Sequence, residues 1–131
     1  MEINRLWNNK MIKIILDTNF VGIPFEFKVD IYSELERIID EKYELFFPDI
    51  CLNELKKLKF GEVAKDLMLK KGVKILPLEK KGSVDETLIN FAKENGYAIA
   101  TQDKELRKKA LKYNIPIIIL RSKSHLIKIK W

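Results

Sequence analysis

The chain has 131 residues, of which 47% are hydrophobic and 34% charged, the length and balance of one folded domain rather than of a disordered or low-complexity chain. Its single cysteine, Cys51, and single histidine, His125, argue against a disulfide, a structural zinc site and histidine-based catalysis. No apolar run reaches the roughly 20 residues of a membrane span, and the first residues lack the apolar core of a signal peptide. We therefore expect a soluble, cytoplasmic protein with no membrane partner.

The net charge of +6 is distributed unevenly along the chain. Residues 1–50 carry six Lys and Arg against ten Asp and Glu, whereas residues 51–131 carry nineteen against nine. A basic surface concentrates polyanions around a protein, and nucleic acid is the commonest polyanion in the cytoplasm. The second half of the chain is thus a candidate nucleic-acid surface, and the alternative is a lysine-rich face that is merely solvated.

Strand-like and helix-like segments alternate from residue 11 onward. In chain order the apolar patterns and capping signals predict a strand over Met11–Leu16, a helix over Val29–Ile39, a strand over Tyr43–Phe47, helices over Ile50–Leu58 and Glu62–Lys71, a strand over Val73–Leu76, a helix from Ser83 to Asn95, a strand over Tyr97–Ala100, a helix over Gln102–Tyr113 and a strand over Ile115–Leu120. The tail offers one more strand over Leu126–Ile129. Pro48 and Asp49 are expected to stop the second strand and to cap the helix after it.

This alternation is typical of an α/β fold, a three-layer sandwich whose mostly parallel central sheet of about five strands has helices on both faces. No repeat or linker divides the chain. We expect one domain over residues 11–131, preceded by an N-terminal extension over residues 1–10. The sequence leaves open whether that extension is native, a tag, or the result of an upstream start with Met11 as the alternative.

Ligands of open parallel sheets bind outside the carboxyl ends of the strands, and acidic residues follow several of the predicted strands. The four candidates are Asp17, Glu54, Asp85 and Asp103. For Asp17 and Asp103 an ordinary helix cap is an equally good explanation. Helical spacing puts Glu54 with Cys51 and Leu58, and Asp85 with Leu88 and Ile89, on stripes that should face the sheet.

Partly buried carboxylates need a partner, a proton or a cation, and the sequence offers no matched arginine for these four. Several oxygen ligands around one pocket suit a hard divalent cation, Mg²⁺ or Mn²⁺, which also binds phosphate oxygens. The pattern therefore indicates phosphoryl-transfer chemistry without histidine. Without the metal, repulsion within the cluster should raise one or more of its pKa values.

Four segments in this order resemble a PIN domain across nearly the whole chain: Ile15-Leu16-Asp17-Thr18-Asn19, Pro48-Asp49-Ile50-Cys51-Leu52-Asn53-Glu54-Leu55, Val84-Asp85-Glu86-Thr87-Leu88-Ile89, and Ile99-Ala100-Thr101-Gln102-Asp103-Lys104-Glu105-Leu106. The resemblance implies a ribonuclease that prefers single-stranded RNA and binds Mg²⁺ or Mn²⁺ through Asp17, Glu54, Asp85 and Asp103. It also implies Thr18, Asn19 and Thr101 as supporting polar residues, with Asn53 and Glu105 as weaker candidates. Gln102 stands where the family pattern has a different polar residue, which bears on substrate handling rather than on the metal acids.

Within that family, the segment from Asn114 to His125 is similar to the branch that processes small-subunit ribosomal RNA, and toxin-type PIN ribonucleases are the near alternative. Besides RNA, the resemblance implies two kinds of protein partner: a second copy of the chain, and either a ribosome-assembly protein or an antitoxin. The basic residues that we expect to bind RNA are Lys104, Arg107, Lys108, Lys112, Arg121 and Lys123. Leu106, Ala110 and Tyr113 are expected on the buried stripe of the same helix, and Tyr97 or Trp131 is a candidate for stacking a base.

The leading hypothesis is a metal-dependent endoribonuclease, and the competing one is a binding module in which the same fold serves RNA binding or assembly without catalysis. A phosphoacceptor receiver domain is disfavoured, because only one acid follows the first strand where such a site needs several around a phosphorylated Asp.

Overall fold

The structure is a computed structural model that describes residues 11–131, so the predicted N-terminal extension lies outside the described residues. Its elements are β1 (Ile12–Leu16), α1 (Thr18–Val21), α2 (Ile23–Phe27), α3 (Ile31–Ile38), β2 (Tyr43–Pro48), a 3-10 turn (Asp49–Cys51), α4 (Leu52–Lys57), α5 (Gly61–Lys70), β3 (Lys74–Leu76), α6 (Val84–Asn95), β4 (Ala98–Ala100), α7 (Lys104–Lys112), β5 (Ile117–Arg121) and β6 (His125–Ile129). None of these helices is long and apolar enough to cross a membrane.

The six strands form one sheet in the order β3-β2-β1-β4-β5-β6. Every pairing is parallel except that of β5 with β6. The predicted α/β sandwich is confirmed, and the sixth strand is the one that the tail offered. The chain builds outward from β1 to β3 and then returns to the other side of β1 with β4. The crevice between β1 and β4 is therefore the topological switch point, where ligands of such sheets bind.

Two helical layers cover the sheet because successive residues of a strand point to opposite faces. Ile14 and Leu16 of β1 pack with α1 to α5, whereas Ile15 packs with α6 and α7. Strands buried on both faces read as continuous apolar runs, which is why the sequence revealed them. The acidic and polar residues that follow β1 and β4 thus stand on a rigid, buried base.

Three local features differ from the sequence-based expectations. Helices α1 and α2 were not predicted, because four and five residues are too short to show helical periodicity. The helix predicted to begin at Ile50 is split into a 3-10 turn and the short helix α4. Asp49 does not cap it, since its Oδ1 accepts a hydrogen bond from the backbone nitrogen of Leu78, 3.0 Å away, beyond the end of β3.

Candidate active site

Asp17 lies directly after β1, at the start of α1, and is 9% exposed. Its Oδ1 accepts a hydrogen bond from the backbone nitrogen of Thr18 at 2.9 Å. Its Oδ2 accepts a hydrogen bond from the hydroxyl of Thr101 at 2.8 Å, across 84 residues of sequence. Each oxygen keeps a further lone pair beyond these bonds. The carboxylate is thus fixed in orientation while retaining the capacity to bind something else.

Thr101 connects two of the predicted acids. It follows β4 and is fully buried. Its hydroxyl donates to Asp17 and accepts from the backbone nitrogen of Asp103 at 3.0 Å. Asp103 Oδ1 in turn accepts from the backbone nitrogens of Glu105 and Leu106, at 2.9 and 3.4 Å, and so caps α7. Asp103 therefore caps α7, as the capping explanation predicted. The hydroxyl of Thr101 connects the backbone of Asp103 to the carboxylate of Asp17.

Burial raises the pKa of Asp17 to about 6. The hydrogen bonds from Thr101 and Thr18 act in the opposite direction, and the negative charges of Glu54 and Asp85 add to the increase. Asp17 takes part in none of the ion pairs formed within residues 11–131. A buried carboxylate among like charges, without a cationic side chain, is the arrangement that a bound cation would relieve.

Asp85 lies in the first turn of α6 and is partly buried, as expected. Burial raises its pKa, and the charge of Asp103 raises it further. Lys109 on α7 opposes this increase, with its Nζ 4.0 Å from Asp85 Oδ2. The contact of Lys109 with Asp85 was not predicted, because Lys109 lies outside the lysine stripe expected on that helix. No spacing within α7 predicts this contact, because its partner Asp85 lies on α6.

The expectation that Glu54 faces the sheet is wrong, because Glu54 is exposed. The prediction assumed one continuous helix from Ile50, but Cys51 belongs to the 3-10 turn and α4 begins only at Leu52. The inward position of α4 is Leu55. The negative charge of Glu54 still raises the pKa values of Asp17 and Asp85. Glu54 therefore borders, from the solvent side, the acidic cluster of Asp17, Asp85 and Asp103. Cys51 is buried as expected, and burial raises its pKa to about 12.

The supporting polar residues differ in their surroundings. Thr18 is buried, whereas Asn19 is exposed. Asn53 and Glu105 are exposed as well. Gln102 Oε1 accepts a hydrogen bond from the backbone nitrogen of Leu120 at 3.3 Å. Gln102 therefore extends the hydrogen bonding of β5 beyond the short strand β4.

Within residues 11–131, no three acidic, histidine or cysteine side chains lie close enough together to form a ready metal site. The chemistry of the donors nevertheless fits a hard divalent cation. All four candidates offer carboxylate oxygens, the ligands that Mg²⁺ and Mn²⁺ prefer. Burial, with a further contribution from neighbouring negative charges, raises the pKa values of Asp17 and Asp85, and a bound cation would offset both effects.

Comparison with known proteins identifies the family. Residues 14–123 match the PIN-like domain. This chain belongs to the PIN-like domain family. It is similar to ribonuclease VapC4 of Methanocaldococcus jannaschii, with 33% identity over 88% of this chain and 95% of the relative. It is also similar to ribonuclease VapC9 of Archaeoglobus fulgidus, with 28% identity over 92% of each chain.

Two solved structures share the fold of this PIN-like domain. One is the PIN domain endonuclease Utp24, with a TM-score of 0.78 and 24% identity, over 91% of this chain and 92% of the other. The second is a PilT N-terminus domain protein of Sulfolobus solfataricus P2, with a TM-score of 0.56 and 15% identity, over 82% and 87% of the two chains. Both matches extend over most of the sheet and its helices.

The predicted RNA-binding residues of this PIN-like domain lie on α7 and beyond β5. Exposed positions are occupied by Lys104, Lys108, Lys112, Arg121 and Lys123, and Arg107 is half-buried. Tyr113 was expected on the buried stripe of α7, but it is 45% exposed, because α7 ends at Lys112 and Tyr113 lies in the turn that follows. Tyr97 is buried against Phe91, with ring centroids 5.0 Å apart, so it is a packing residue and not a stacking platform.

Proposed function

We propose that this protein is a metal-dependent endoribonuclease that hydrolyses phosphodiester bonds in RNA. One observation carries the proposal: Asp17 is a buried carboxylate at the switch point of the sheet, held by Thr101, repelled by Glu54 and Asp85 and lacking an ion pair within residues 11–131. A folded chain maintains such an unfavourable charge where function needs it. A Mg²⁺ or Mn²⁺ ion is the simplest group that would offset it.

The comparisons support the same reaction. Two curated relatives are named ribonucleases, and the solved structure of Utp24 is described as an endonuclease. These names belong to those proteins, and the family membership links them to this chain. Hydrolysis of RNA is therefore the reaction that the site chemistry and the relatives support together.

We assign metal binding to Asp17, Glu54, Asp85 and Asp103. A divalent cation in such a site supplies polarisation of the phosphodiester and a lower pKa for a bound water. Thr101 positions Asp17 and Asp103 relative to each other through its two hydrogen bonds. Thr18 orients Asp17 through its backbone nitrogen, and Asn19, exposed beside it, is assigned a polar contact with the substrate.

We assign RNA binding to the basic residues on α7 and after β5, namely Lys104, Arg107, Lys108, Lys112, Arg121 and Lys123. Helix α7 begins at the acidic cluster, where Asp103 caps it, so its lysines extend away from the site on the same helix. Lysines bind phosphates as point charges and need no exact geometry. This arrangement favours binding along the RNA backbone rather than recognition of one sequence.

The cellular setting that we propose is processing of small-subunit ribosomal RNA, supported by the segment from Asn114 to His125 and by the shared fold with Utp24. The relatives named VapC4 and VapC9 favour a second candidate, a toxin-type ribonuclease paired with an antitoxin. Depletion of the protein from its host separates the two. Accumulation of a precursor of small-subunit ribosomal RNA is expected for processing. A toxin-type enzyme would instead arrest growth on induction, and its neighbouring gene product would relieve the arrest.

The nuclease proposal is tested by cleavage of a labelled single-stranded RNA with Mn²⁺, Mg²⁺ or EDTA. The wild-type protein is compared with Asp17→Asn, purified identically to control for contaminating nuclease. We expect cleavage with metal and its loss both in EDTA and in the variant. Cleavage that persists in EDTA, or that the variant retains, would contradict the proposal. Metal-independent RNA binding without cleavage would favour the non-catalytic binding module.

A further inference from the structure

A groove with a volume of about 270 Å³ runs between α6 and α7. The residues that line it are Glu86, Ile89, Asn90, Lys109, Lys112 and Tyr113. One end meets the acidic cluster, because Lys109 also lies 4.0 Å from Asp85. Both helices run away from the carboxyl edge of the sheet, so the groove leads from the acids along the outside of the molecule.

The far end of the groove combines an exposed aromatic ring with two ammonium groups. Tyr113 is 45% exposed. Lys93 Nζ lies 4.6 Å from the centroid of its ring, and Lys112 Nζ lies 6.0 Å from it. Lys93 is two turns along α6 from Asp85, a rise of about 12 Å for eight residues. The aromatic ring therefore lies beyond the acids at a distance that a few nucleotides can span.

The charges of the groove match a polyanion. Lys93, Lys109 and Lys112 are cationic, and Glu86 is the opposing charge among the residues that line it. The contact between Lys109 and Asp85 joins two partly exposed side chains, so it is weak and leaves the ammonium available to a phosphate. Exposed rings among lysines are the combination that binds single-stranded nucleic acid, because rings stack bases and lysines hold the backbone.

We propose that this groove binds the segment of single-stranded RNA next to the cleavage site, a role that rests on the proposed nuclease function. Tyr113 stacks one base at the far end. Lys93 and Lys112 contact the phosphates on either side of that base, and Lys109 contacts the phosphate nearest the acidic cluster. Asn90 offers its amide to a base edge between them. The groove then determines the path that the bound RNA follows away from the acidic residues.

The groove is tested by the affinity for a labelled single-stranded RNA, measured by fluorescence anisotropy in the Asp17→Asn background so that the RNA stays intact. We expect Tyr113→Ala to weaken binding about 10-fold, the usual order for loss of one stacked base. Tyr113→Phe, which keeps the ring, should bind as tightly as Tyr113. The double substitution Lys93→Ala with Lys112→Ala should reduce the salt dependence of log K by about 1.4, from about 0.7 for each lost phosphate contact.

Two matched controls come from elsewhere in the chain. Trp131, which the sequence also suggested for stacking a base, is exposed with Lys128 Nζ 5.5 Å from its ring. It neighbours Met11 and Pro116, at the amino-terminal ends of β1 and β5, whereas Asp17 follows the carboxyl end of β1, so Trp131 lies outside the proposed binding site. Lys70 is an exposed lysine on α5, in the helical layer across the sheet. Trp131→Ala and Lys70→Ala should leave the affinity within twofold. An equal loss in the controls would show unspecific binding and overturn the proposed groove.

Photocrosslinking separates the groove from the nuclease proposal. RNA carrying 5-iodouridine at successive positions is irradiated with the protein, and the crosslinked peptide is identified by mass spectrometry. A crosslink to Tyr113 from one position is expected. Crosslinks elsewhere, with unchanged affinity in Tyr113→Ala while the wild-type protein cleaves RNA, would overturn the groove alone. Crosslinks to Tyr113 without cleavage by the wild-type protein would overturn the nuclease and leave the groove in place.

Discussion

Two carboxylates in different parts of the molecule have pKa values that are shifted in opposite directions. Burial raises the pKa of Asp17 to about 6 at the switch point of the sheet. At the β6 edge, hydrogen bonding to Arg37 lowers the pKa of Glu34 to about 2. Glu34 accepts two hydrogen bonds from Arg37, at 2.8 and 2.9 Å, and one from the backbone nitrogen of Leu126 at 3.0 Å.

The difference separates an acid whose charge stabilises the folded state from one whose charge destabilises it. Both carboxylate oxygens of Glu34 accept hydrogen bonds, and the bond from Leu126 connects α3 to β6. Its negative charge therefore stabilises the folded state. Asp17 receives hydrogen bonds but no cationic partner among residues 11–131, so its charge costs folding free energy. A pKa shift from 3.8 to about 6 corresponds to about 3 kcal/mol. Acids of the second kind are the ones to examine for function.

The largest effect is expected from Asp17→Asn, whose free energy of unfolding tests whether the charge of Asp17 destabilises the folded state. The folded-state pKa of Asp17 lies above its unfolded value of 3.8. The Asp17 charge therefore leaves the free energy of unfolding unchanged below pH 3.8 and lowers it fully above about pH 6. We therefore expect the variant to be more stable by up to about 3 kcal/mol at pH 8, by urea unfolding, with no gain at pH 3. Saturating Mn²⁺ should remove the advantage by stabilising only the wild-type protein. A variant that is less stable at pH 8 would contradict the contrast.

The next largest effect is expected from Thr101→Val, which preserves shape but removes the hydroxyl between Asp17 and Asp103. The partly buried backbone nitrogen of Asp103 and the Oδ2 of Asp17 would each lose a partner. We expect a loss of about 2 kcal/mol in the free energy of unfolding. Because the Thr101 hydrogen bond lowers the pKa of Asp17, the variant should also titrate Asp17 at higher pH, measurable by carboxyl NMR shifts. Thr101→Ser, which restores the hydroxyl, should recover most of both quantities.

At the β6 edge of the sheet, Glu34→Gln should destabilise the protein by about 1 kcal/mol at pH 7. The value is small because Arg37 is 56% exposed and solvent screens the pair. The folded-state pKa of Glu34 is below its unfolded value of about 4.5, so its contribution is complete above pH 4.5 and is lost as the pH falls towards 2. Thermal unfolding across this range, beside the exposed neighbour Glu36→Gln, measures it. A destabilisation that persists unchanged at pH 2 would show that the charge is not its source.

The smallest effect is expected at Gln102, whose side chain reaches Leu120 by one long hydrogen bond. Gln102→Ala should cost about 0.5 kcal/mol, since the freed backbone nitrogen of Leu120 lies near the end of β5. Cleavage by the variant should stay within threefold of the wild type. A larger loss of cleavage without loss of stability would assign Gln102 to substrate handling. Substrate handling is the property on which the replacement of the usual polar residue by Gln102 bears.

The sequence predicted the sheet well because its strands are buried on both faces and read as apolar runs. Ser83 also capped its helix as expected, with its hydroxyl 3.1 Å from the backbone nitrogen of Glu86. Helices α1 and α2 were not predicted, because they are shorter than two turns. Local patterns thus predict long elements, whereas short ones depend on what surrounds them.

The candidate site could be predicted only in part. The positions of the acids followed from the ends of the strands, and the resemblance supplied Thr101. The exposure of Glu54 could not be predicted, because it depends on the 3-10 turn that breaks the helical phase. Lys109 and Tyr113 were missed because their partners, Asp85 and Lys93, lie on a different helix. A contact between two helices cannot be predicted from the spacing of residues within either helix.

The hydrogen bond between Thr101 and Asp17 joins β4 to β1 across 84 residues, although the two strands are neighbours in the sheet. During translation at about 5 to 20 residues per second, Asp17 leaves the ribosome several seconds before Thr101 exists. In that interval the hydrogen bond from Thr101 cannot form, and only the local contact with the Thr18 backbone nitrogen is within reach. Until most of the chain has been synthesised, the carboxylate of Asp17 therefore lacks the hydrogen bond that holds its Oδ2.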